Sequence, residues 1–355
     1  MNGDITPHIR ALSQLTLAPE RVEFALEHLA KLSPEQREQF RTLANSHHVV
    51  VRSFSVISEQ SLKDDVYMWA NSILAHESDR VAQAVEGIAC VCEALESDGC
   101  PVTVLKSLDH FPDTGNDIDL YTPADPVQVL RTMRRLNANV LPRSYGDRLA
   151  VKWNFEISGV SKTVEVHVKR LGQGGEHTAL AERFHARRRQ VEFHGHKLWI
   201  PAAEESIMAA TMQRMYRHFF MRICDVANTA RMIEAGDVDF HELRSAAERG
   251  CIWEGVATYL SLVCEWVALY RRTPLQVPAY LRKAGRFGVE KLFPGGRFLR
   301  VPVVPDGAKL FATQLWRTAL SGDLGATFRL GLLPPLASAA MFAYKVTGNN
   351  KASGN

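Results

Sequence analysis

Residues 117–122 read Asp-Ile-Asp-Leu-Tyr-Thr, an alternation of acidic and apolar side chains with a period of two. In a β-strand, residues i and i+2 point to the same face, so Asp117 and Asp119 project together while Ile118 and Leu120 face a core. Carboxylates beside large apolar residues are costly unless they are paired or bind a metal. The run therefore predicts a sheet with one buried face and an acidic site on the other.

A third acid, Glu165, is placed in the same way within the apolar run Thr163–Val168. If the two strands are neighbours in one sheet, the carboxylates of Asp117, Asp119 and Glu165 converge. Converging carboxylates suit Mg²⁺, which prefers oxygen ligands that include substrate phosphates. We interpret the three acids as catalytic metal ligands of a two-metal site for Mg²⁺ or Mn²⁺.

The surrounding sequence predicts an α+β fold whose sheet lies between two helical regions. We divide the chain into an N-terminal helical segment (1–100), an α/β core (101–200), a C-terminal helical domain (201–345) and a flexible tail (346–355). Predicted strands in the core cover 101–105, 117–122, 149–157, 163–168 and a hairpin at 191–200, with one helix from 125 to 136. Other predicted helices cover 19–45, 62–95, 203–234, 239–249, 251–270 and 306–321, with a Gly/Pro-rich loop near 285–305.

Composition narrows the partners and the compartment. Lys and Arg total 42 against 39 Asp and Glu, for a net charge of +3, so long nucleic acid is the least favoured acceptor. The first residues carry no secretory signal, the six cysteines show no Cys-x-x-Cys spacing, and a cytoplasmic protein with free thiols is expected. The apolar run 330–344 is too short for a transmembrane helix and contains Pro334-Pro335. We interpret it as a docked helix, with weak membrane-surface contact as the alternative.

Four short motifs follow one another in an order that resembles a known superfamily. They are Leu105-Lys-Ser107, Asp117-Ile-Asp-Leu120, Glu165-Val-His167 and His218…Arg222…Asp225. The chain resembles the DNA polymerase β-type nucleotidyltransferase superfamily and is most similar to its bacterial "uncharacterised nucleotidyltransferase" family. The resemblance implies a polymerase β-like mixed-sheet core, divalent metal and an NTP such as ATP as co-substrate.

The resemblance also implies roles for residues around the acids. Ser107 matches a hydroxyl that contacts the triphosphate, and Asn116 closes a polar turn at the nucleotide. Lys106 stands where the wider superfamily has glycine, so it either neutralises phosphate or reshapes the loop. His167 shares the face of Glu165 and orients a ligand or contacts substrate. Further along, Arg222 and Asp225 either form a structural ion pair on one helix or line the cleft, and His218 shares their alternatives.

The function implied is transfer of a nucleoside monophosphate from an NTP to an acceptor, with release of pyrophosphate. A small molecule or a protein is the favoured acceptor, while a sugar and an RNA 3′ end stay open. Two other hypotheses remain: a non-catalytic binding or scaffold protein that kept the fold, and a metal-dependent phosphohydrolase that uses water as the acceptor.

Overall fold

The computed structural model of the protein describes residues 5–60, 65–172, 177–285, 292–301 and 307–334. The predicted flexible tail and all but the first residues of the apolar run 330–344 lie outside the described residues, whereas 324–334 are helical. No helix within the described ranges is long and apolar enough to cross a membrane.

Helices dominate both ends of the chain. They are α1 (Thr6–Leu17), α2 (Glu23–Ala30), α3 (Pro34–Ser46), α4 (Val50–Gln60), α5 (Asp65–Ser97), α6 (Pro126–Arg135), α7 (Tyr145–Leu149), α8 (Thr178–Ala186), α9 (Ala203–Thr211), a π-helix (Met212–His218), α10 (Ile223–Glu234), α11 (Phe240–Arg249), α12 (Trp253–Tyr270), α13 (Ala279–Ala284) and α14 (Ala308–Leu320).

The strands form a five-stranded sheet and two smaller sheets. They are β1 (Thr103–Val104), β2 (Asp117–Thr122), β3 (Asn139–Val140), β4 (Lys152–Glu156), β5 (Thr163–Val168), β6 (Arg189–Phe193), β7 (His196–Ile200), β8 (Phe220–Met221), β9 (Phe293–Gly295) and β10 (Phe298–Arg300). The large sheet has the order β1-β2-β5-β4-β3. Strands β2 and β5 are parallel, and the other pairs are antiparallel. The predicted mixed α/β architecture is confirmed.

One face of the large sheet is buried by helices α5 and α6. The side chains of Ile118 and Leu120 on β2, and of Val164 and Val166 on β5, are fully buried in a core that α5, α6 and β7 complete. The alternation in each strand explains this burial, because every second residue is apolar. The acids between them project from the opposite face.

The two helical ends of the chain pack together in a second core. This core contains residues of α1 to α4 and of α9 to α12. The indole nitrogen of Trp266 donates to the hydroxyl of Ser13 across 3.2 Å, and the guanidinium of Arg271 donates to the carbonyl of Leu17. Tyr121 and Phe184 join this core from the acidic side of the sheet. The acids therefore face a body built from both ends of the chain.

The predicted continuous helix over 203–234 is wrong. The α-helix ends at Thr211, a π-helix follows, and Phe219 has a left-handed φ of 54° before the short strand β8. The apolar spacing stays helical through this region, so the pattern gives no sign of the break. Tertiary pairing decides it, because β8 pairs with β10 and the amide of Val301 donates to the carbonyl of Phe219.

Two other predictions at the helical ends need correction. The predicted helix 19–45 is two helices, separated where Ser33 caps α3 through its hydroxyl and Gln36. Helix α1 was not predicted at all. The predicted loop near 285–305 contains strands β9 and β10 among its described residues.

Candidate active site

The three predicted acids lie on adjacent strands, as the sequence predicts. Asp119 on β2 is the register partner of Glu165 on β5, and Asp117 is two residues earlier on the same face. Burial and the negative charges of Asp119 and Glu165 raise the pKa of Asp117, which shows that the three carboxylates interact. We call the surface formed by Asp117, Asp119 and Glu165 the acidic wall.

A metal ion fits part of the acidic wall. Asp119, Glu165 and His167 each offer a ligand atom, and these atoms lie within 4.8 Å of one another. The Nε2 atom of His167 is 3.0 Å from Glu165 and 3.9 Å from Asp119. Two carboxylates and an imidazole form a donor set for a divalent ion, although Mg²⁺ itself prefers oxygen. His167 thus joins the predicted acids at the centre of the site, while Asp117 adjoins the cluster.

Lysine side chains hold the acids from two sides. The Nζ atom of Lys106 lies 3.0 Å from Asp119, and that of Lys152 lies 2.9 Å from Glu165. Lys152 also reaches Asp147 at 3.0 Å. Burial opposes ionisation of Glu165, but the hydrogen bond from His167 and the charge of Lys152 hold its pKa well below the ordinary range. The ammonium group of Lys106 is thus paired with an acid, and its contact with phosphate stays a prediction.

Ser107 fixes the turn before β2 to that strand. Its hydroxyl accepts a hydrogen bond from the amide of Asp119 at 2.8 Å and donates to the carbonyl of Asp117 at 3.3 Å. The side chain lines the cleft but is committed to these backbone partners, so its contact with a triphosphate stays a prediction. Asn116 also lines the cleft and is exposed.

The loop between Ser107 and Asn116 is held by the N-terminal helices. The carboxylate of Asp113 accepts from the amides of Val51 and Arg52, at the first turn of α4. The guanidinium of Arg52 donates to the carbonyls of Asp109, His110 and Phe111. The turn that approaches the acids is therefore positioned by a helix far away in sequence.

Opposite the acids, across a cleft of about 730 Å³, lies a surface rich in arginine and histidine. We call it the basic wall; its residues are His48, His110, Arg214, Arg217, His218 and Arg222. Phe220 packs under it, with its ring within 6.0 Å of the guanidinium carbons of Arg214 and Arg222. The two walls present opposite charges to one space.

The histidines of the basic wall are neutral. The Nε2 atom of His48 accepts a hydrogen bond from Arg222 at 2.6 Å, and its ring stacks on His110 with 4.7 Å between centroids. Burial, helped by nearby arginine charge, lowers the pKa of both imidazoles well below the ordinary value, and lowers that of His218 to about 3. The Nδ1 atoms of His48 and His110 are buried without a hydrogen-bond partner among the described residues.

Asp225 stands behind the basic wall. Its carboxylate lies 2.7 Å from the Nε atom of the buried Arg214 and accepts from the backbone amide of Arg222 at 2.6 Å. Of the two alternatives for Arg222 and Asp225, a side-chain ion pair on one helix is not what the structure has, because Arg222 precedes α10 and Asp225 caps its first turn, whereas Arg222 lines the cleft. His218 and Arg222 line the same cleft from different elements rather than from one helical face.

A second cleft, of about 620 Å³, adjoins the first. The two share Lys106, Gln213 and Arg217 at their common edge. The second cleft is half apolar, with Phe184 and Met212 on its wall and Lys152 beside the acids.

Sequence reasoning did not identify several of these residues. Lys152 could have been identified from the sequence, because a lysine inside the apolar run 149–157 needs a buried partner. For His48 and His110 no local pattern exists, since they reach the cleft only through tertiary packing. The run Arg187–Arg189 is no free basic patch: Arg187 pairs with Glu204 and Glu205, and Arg188 pairs with Glu96.

Comparison with known proteins gives little further guidance. No family model matches the chain, and no curated protein matches it. Among solved structures, the chain is similar to the antibiotic-resistance factor ANT(2'')-Ia, whose solution structure has been determined. The identity is 14%, the match covers 55% of this chain and 90% of that one, and the TM-score is 0.28. A TM-score this low does not establish a common fold, and the polymerase β-like core remains a prediction.

Proposed function

We propose that this protein is a metal-dependent nucleotidyltransferase, which transfers a nucleoside monophosphate from an NTP to a small-molecule or protein acceptor. One observation carries the proposal: the acidic wall faces the basic wall across a single cleft. A metal–triphosphate complex has the complementary charges, since its cation needs carboxylates and its phosphates need cationic donors.

Different residues of the chain would bind the metal ion and the phosphates in such a transfer. Asp119, Glu165 and His167 would hold a divalent ion, whose charge stabilises the oxygens of the α-phosphate. Arg222, Arg214 and His48 would bind the β- and γ-phosphates. An acceptor hydroxyl or amine attacks the α-phosphorus, the bond to the bridging oxygen of the β-phosphate breaks, and pyrophosphate leaves. The acceptor's proton passes to the nearest carboxylate.

In-line displacement places the acceptor opposite the leaving pyrophosphate. If the basic wall holds pyrophosphate, the acceptor enters from the second cleft, beyond Lys106. This cleft is half apolar. A small molecule or a protein side chain therefore suits it better than a long nucleic acid, for which the net charge of +3 gives no support.

A nucleotide panel tests the proposal. ATP, GTP, CTP and UTP are incubated with the protein, Mg²⁺ or Mn²⁺, and fractionated metabolites or proteins as acceptors. We expect one nucleotide to release pyrophosphate and to label an acceptor with its α-phosphate but not with its γ-phosphate. Release of orthophosphate without label would instead support the phosphohydrolase hypothesis.

A non-catalytic binding protein is the second candidate, and one observation favours it. Lys106 and Lys152 already neutralise two of the three acids, so the acidic wall is stable without a metal. Calorimetric titration of each NTP with Mg²⁺ separates the two candidates. Absence of binding at millimolar nucleotide would reject the enzyme and favour the binding protein.

A further inference from the structure

Lys152 contacts the acidic wall at Glu165 but has no part in the transfer described above. It begins β4 as the cross-strand partner of His167, and its side chain is only 8% exposed. Its Nζ atom lies 2.9 Å from Glu165 and 3.0 Å from Asp147, so two carboxylates enclose the ammonium group. A buried, charged ammonium now lies beside the predicted metal ligands.

The pairing engages one of the two carboxylate oxygens of Glu165 with Lys152. Its Oε2 atom lies 2.9 Å from Lys152, whereas its Oε1 atom points to His167. Asp147 fixes the lysine from the other side, and Ser144 fixes Asp147 through its amide and hydroxyl. An anchored ammonium of this kind does not move aside easily, because leaving would remove the cation from two partly buried carboxylates.

A charge count around the site gives the number of ions it can take. Four carboxylates and two ammonium groups give a net charge of −2; the groups are Asp117, Asp119, Asp147, Glu165, Lys106 and Lys152. One divalent cation balances this charge. A second would leave the site positive, and Lys162, whose ammonium contacts the carbonyl of Gly115 near Asp117, adds further positive charge.

We propose that Lys152 replaces the second metal ion of a two-metal site, so that the protein without nucleotide binds a single divalent ion at Asp119, Glu165 and His167. Lys152 is then a positioning residue, which limits Glu165 to one ion and supplies the remaining positive charge. This inference rests on the proposed metal site and corrects the predicted two-metal arrangement to one resident ion.

Counting bound Mn²⁺ tests the proposal without any activity assay. Free Mn²⁺ is measured by electron paramagnetic resonance during titration of the full-length protein in the absence of nucleotide. We expect one ion per wild-type chain and two per Lys152→Met chain, because methionine keeps the apolar stem and frees Oε2 of Glu165. The first ion should also bind Lys152→Met roughly tenfold or more tightly, since a nearby positive charge is gone.

Two further variants control for charge and for folding. Lys152→Arg keeps the cation and should still bind one ion. Lys169→Met removes an exposed lysine that follows β5 and pairs with Asp125 at 3.9 Å, and it should behave like the wild type. If Lys152→Met fails to fold, the double variant Lys152→Gln/Asp147→Asn keeps a hydrogen-bonded pair and should bind two ions.

The outcomes separate this inference from the proposed function. Two ions of similar affinity on the wild type would overturn the role of Lys152 and leave metal-dependent transfer standing. One ion on the wild type and also on folded Lys152→Met, or on the double variant Lys152→Gln/Asp147→Asn, would overturn it as well, because Lys152 would then be structural only. No bound Mn²⁺ on the wild type would overturn both the inference and the proposed metal site.

Discussion

The acidic and basic walls face the same cleft but are built in different ways. The acids lie on two paired strands of one sheet, and the pleat of each strand directs them to the same face. The basic wall comes from separate segments, among them the turn before α4, the end of the π-helix and the residue before α10. A regular sheet can hold like charges near one another. The opposite charges that face them are brought together by contacts between segments that are distant in the sequence.

The two walls also differ in how their charges are balanced. On the acidic wall, Lys106 and Lys152 contact the carboxylates directly. On the basic wall, Arg214 is paired with Asp225, but the nearest side-chain partner of Arg222 is the neutral imidazole of His48. The acids are thus largely matched within the protein, while the basic wall has positive charge available for a ligand.

The largest effect should come from removing an acid. Asp119→Asn keeps the shape of the side chain but removes a ligand charge, so pyrophosphate release should fall by roughly a thousandfold. The melting temperature should be unchanged or higher, because repulsion among the acids decreases. Among the described residues, Lys106 is the only lysine or arginine within ion-pair distance of this carboxylate. Pyrophosphate release and thermal melting measure both. Activity near the wild-type level would reject the acidic wall as the metal site.

The next effect tests whether the basic wall depends on the buried ion pair between Arg214 and Asp225. Asp225→Asn should lower the free energy of unfolding by about 3–5 kcal/mol, because it leaves the buried charge of Arg214 unpaired. Asp237→Asn, at an exposed position near the end of the same helix, is the control and should change little. Urea unfolding measures the difference. A loss below about 1 kcal/mol would mean that the pair does not support this wall.

A smaller effect should show that the two walls bind different ligands, nucleotide phosphates and metal. Arg222→Met should weaken NTP binding by roughly 10- to 100-fold, since one charge-assisted phosphate contact is lost. The affinity for Mn²⁺ alone should not change, because the acids are intact. Calorimetry at two salt concentrations measures both, with Arg249→Met, an exposed residue, as the control. Equal losses of metal and nucleotide binding would show that the walls do not act separately.

The smallest effect per pH unit concerns His47, which lies behind the basic wall. Burial, together with the charge of Arg222, lowers the pKa of His47 to about 3, and its Nδ1 atom accepts from the amide of Ile223. Between pH 6.5 and 3 the unfolded chain takes up a proton that the folded chain excludes. The stabilisation is therefore complete above pH 6.5 and is lost at about 1.4 kcal/mol per pH unit as the pH falls.

His47→Asn provides the matched measurement, because its side-chain oxygen lies near the position of Nδ1 and does not titrate. Urea midpoints of the two proteins at pH 7, 6, 5 and 4 should diverge, with the wild type losing more stability toward acid. Comparing variants removes the contributions of acids whose pKa is raised by burial, such as Asp109. Parallel curves would show that His47 takes a proton without opening the wall.

The sequence predicted the acidic wall far better than the basic one. Strands β2 and β5 have the predicted bounds, 117–122 and 163–168, because the alternation of acidic and apolar residues with a period of two is clear over six residues. The pairing of Lys152 with Glu165 was missed, although a lysine in an apolar strand indicates a partner. The break at Phe219 and the arrival of His48 beside Arg222 leave no local pattern, since only contacts across the whole chain determine them.

The contact between His48 and Arg222 also sets an order of events during synthesis. The two residues are 174 positions apart, a distance that a ribosome covers in roughly 9 to 35 s at about 5–20 residues per second. The acids, with Lys106 and Lys152, all precede residue 170 and emerge earlier. A nascent chain therefore contains all three acids for seconds before Arg222 is added, and during that time Lys106 and Lys152 are the cations available to pair with them.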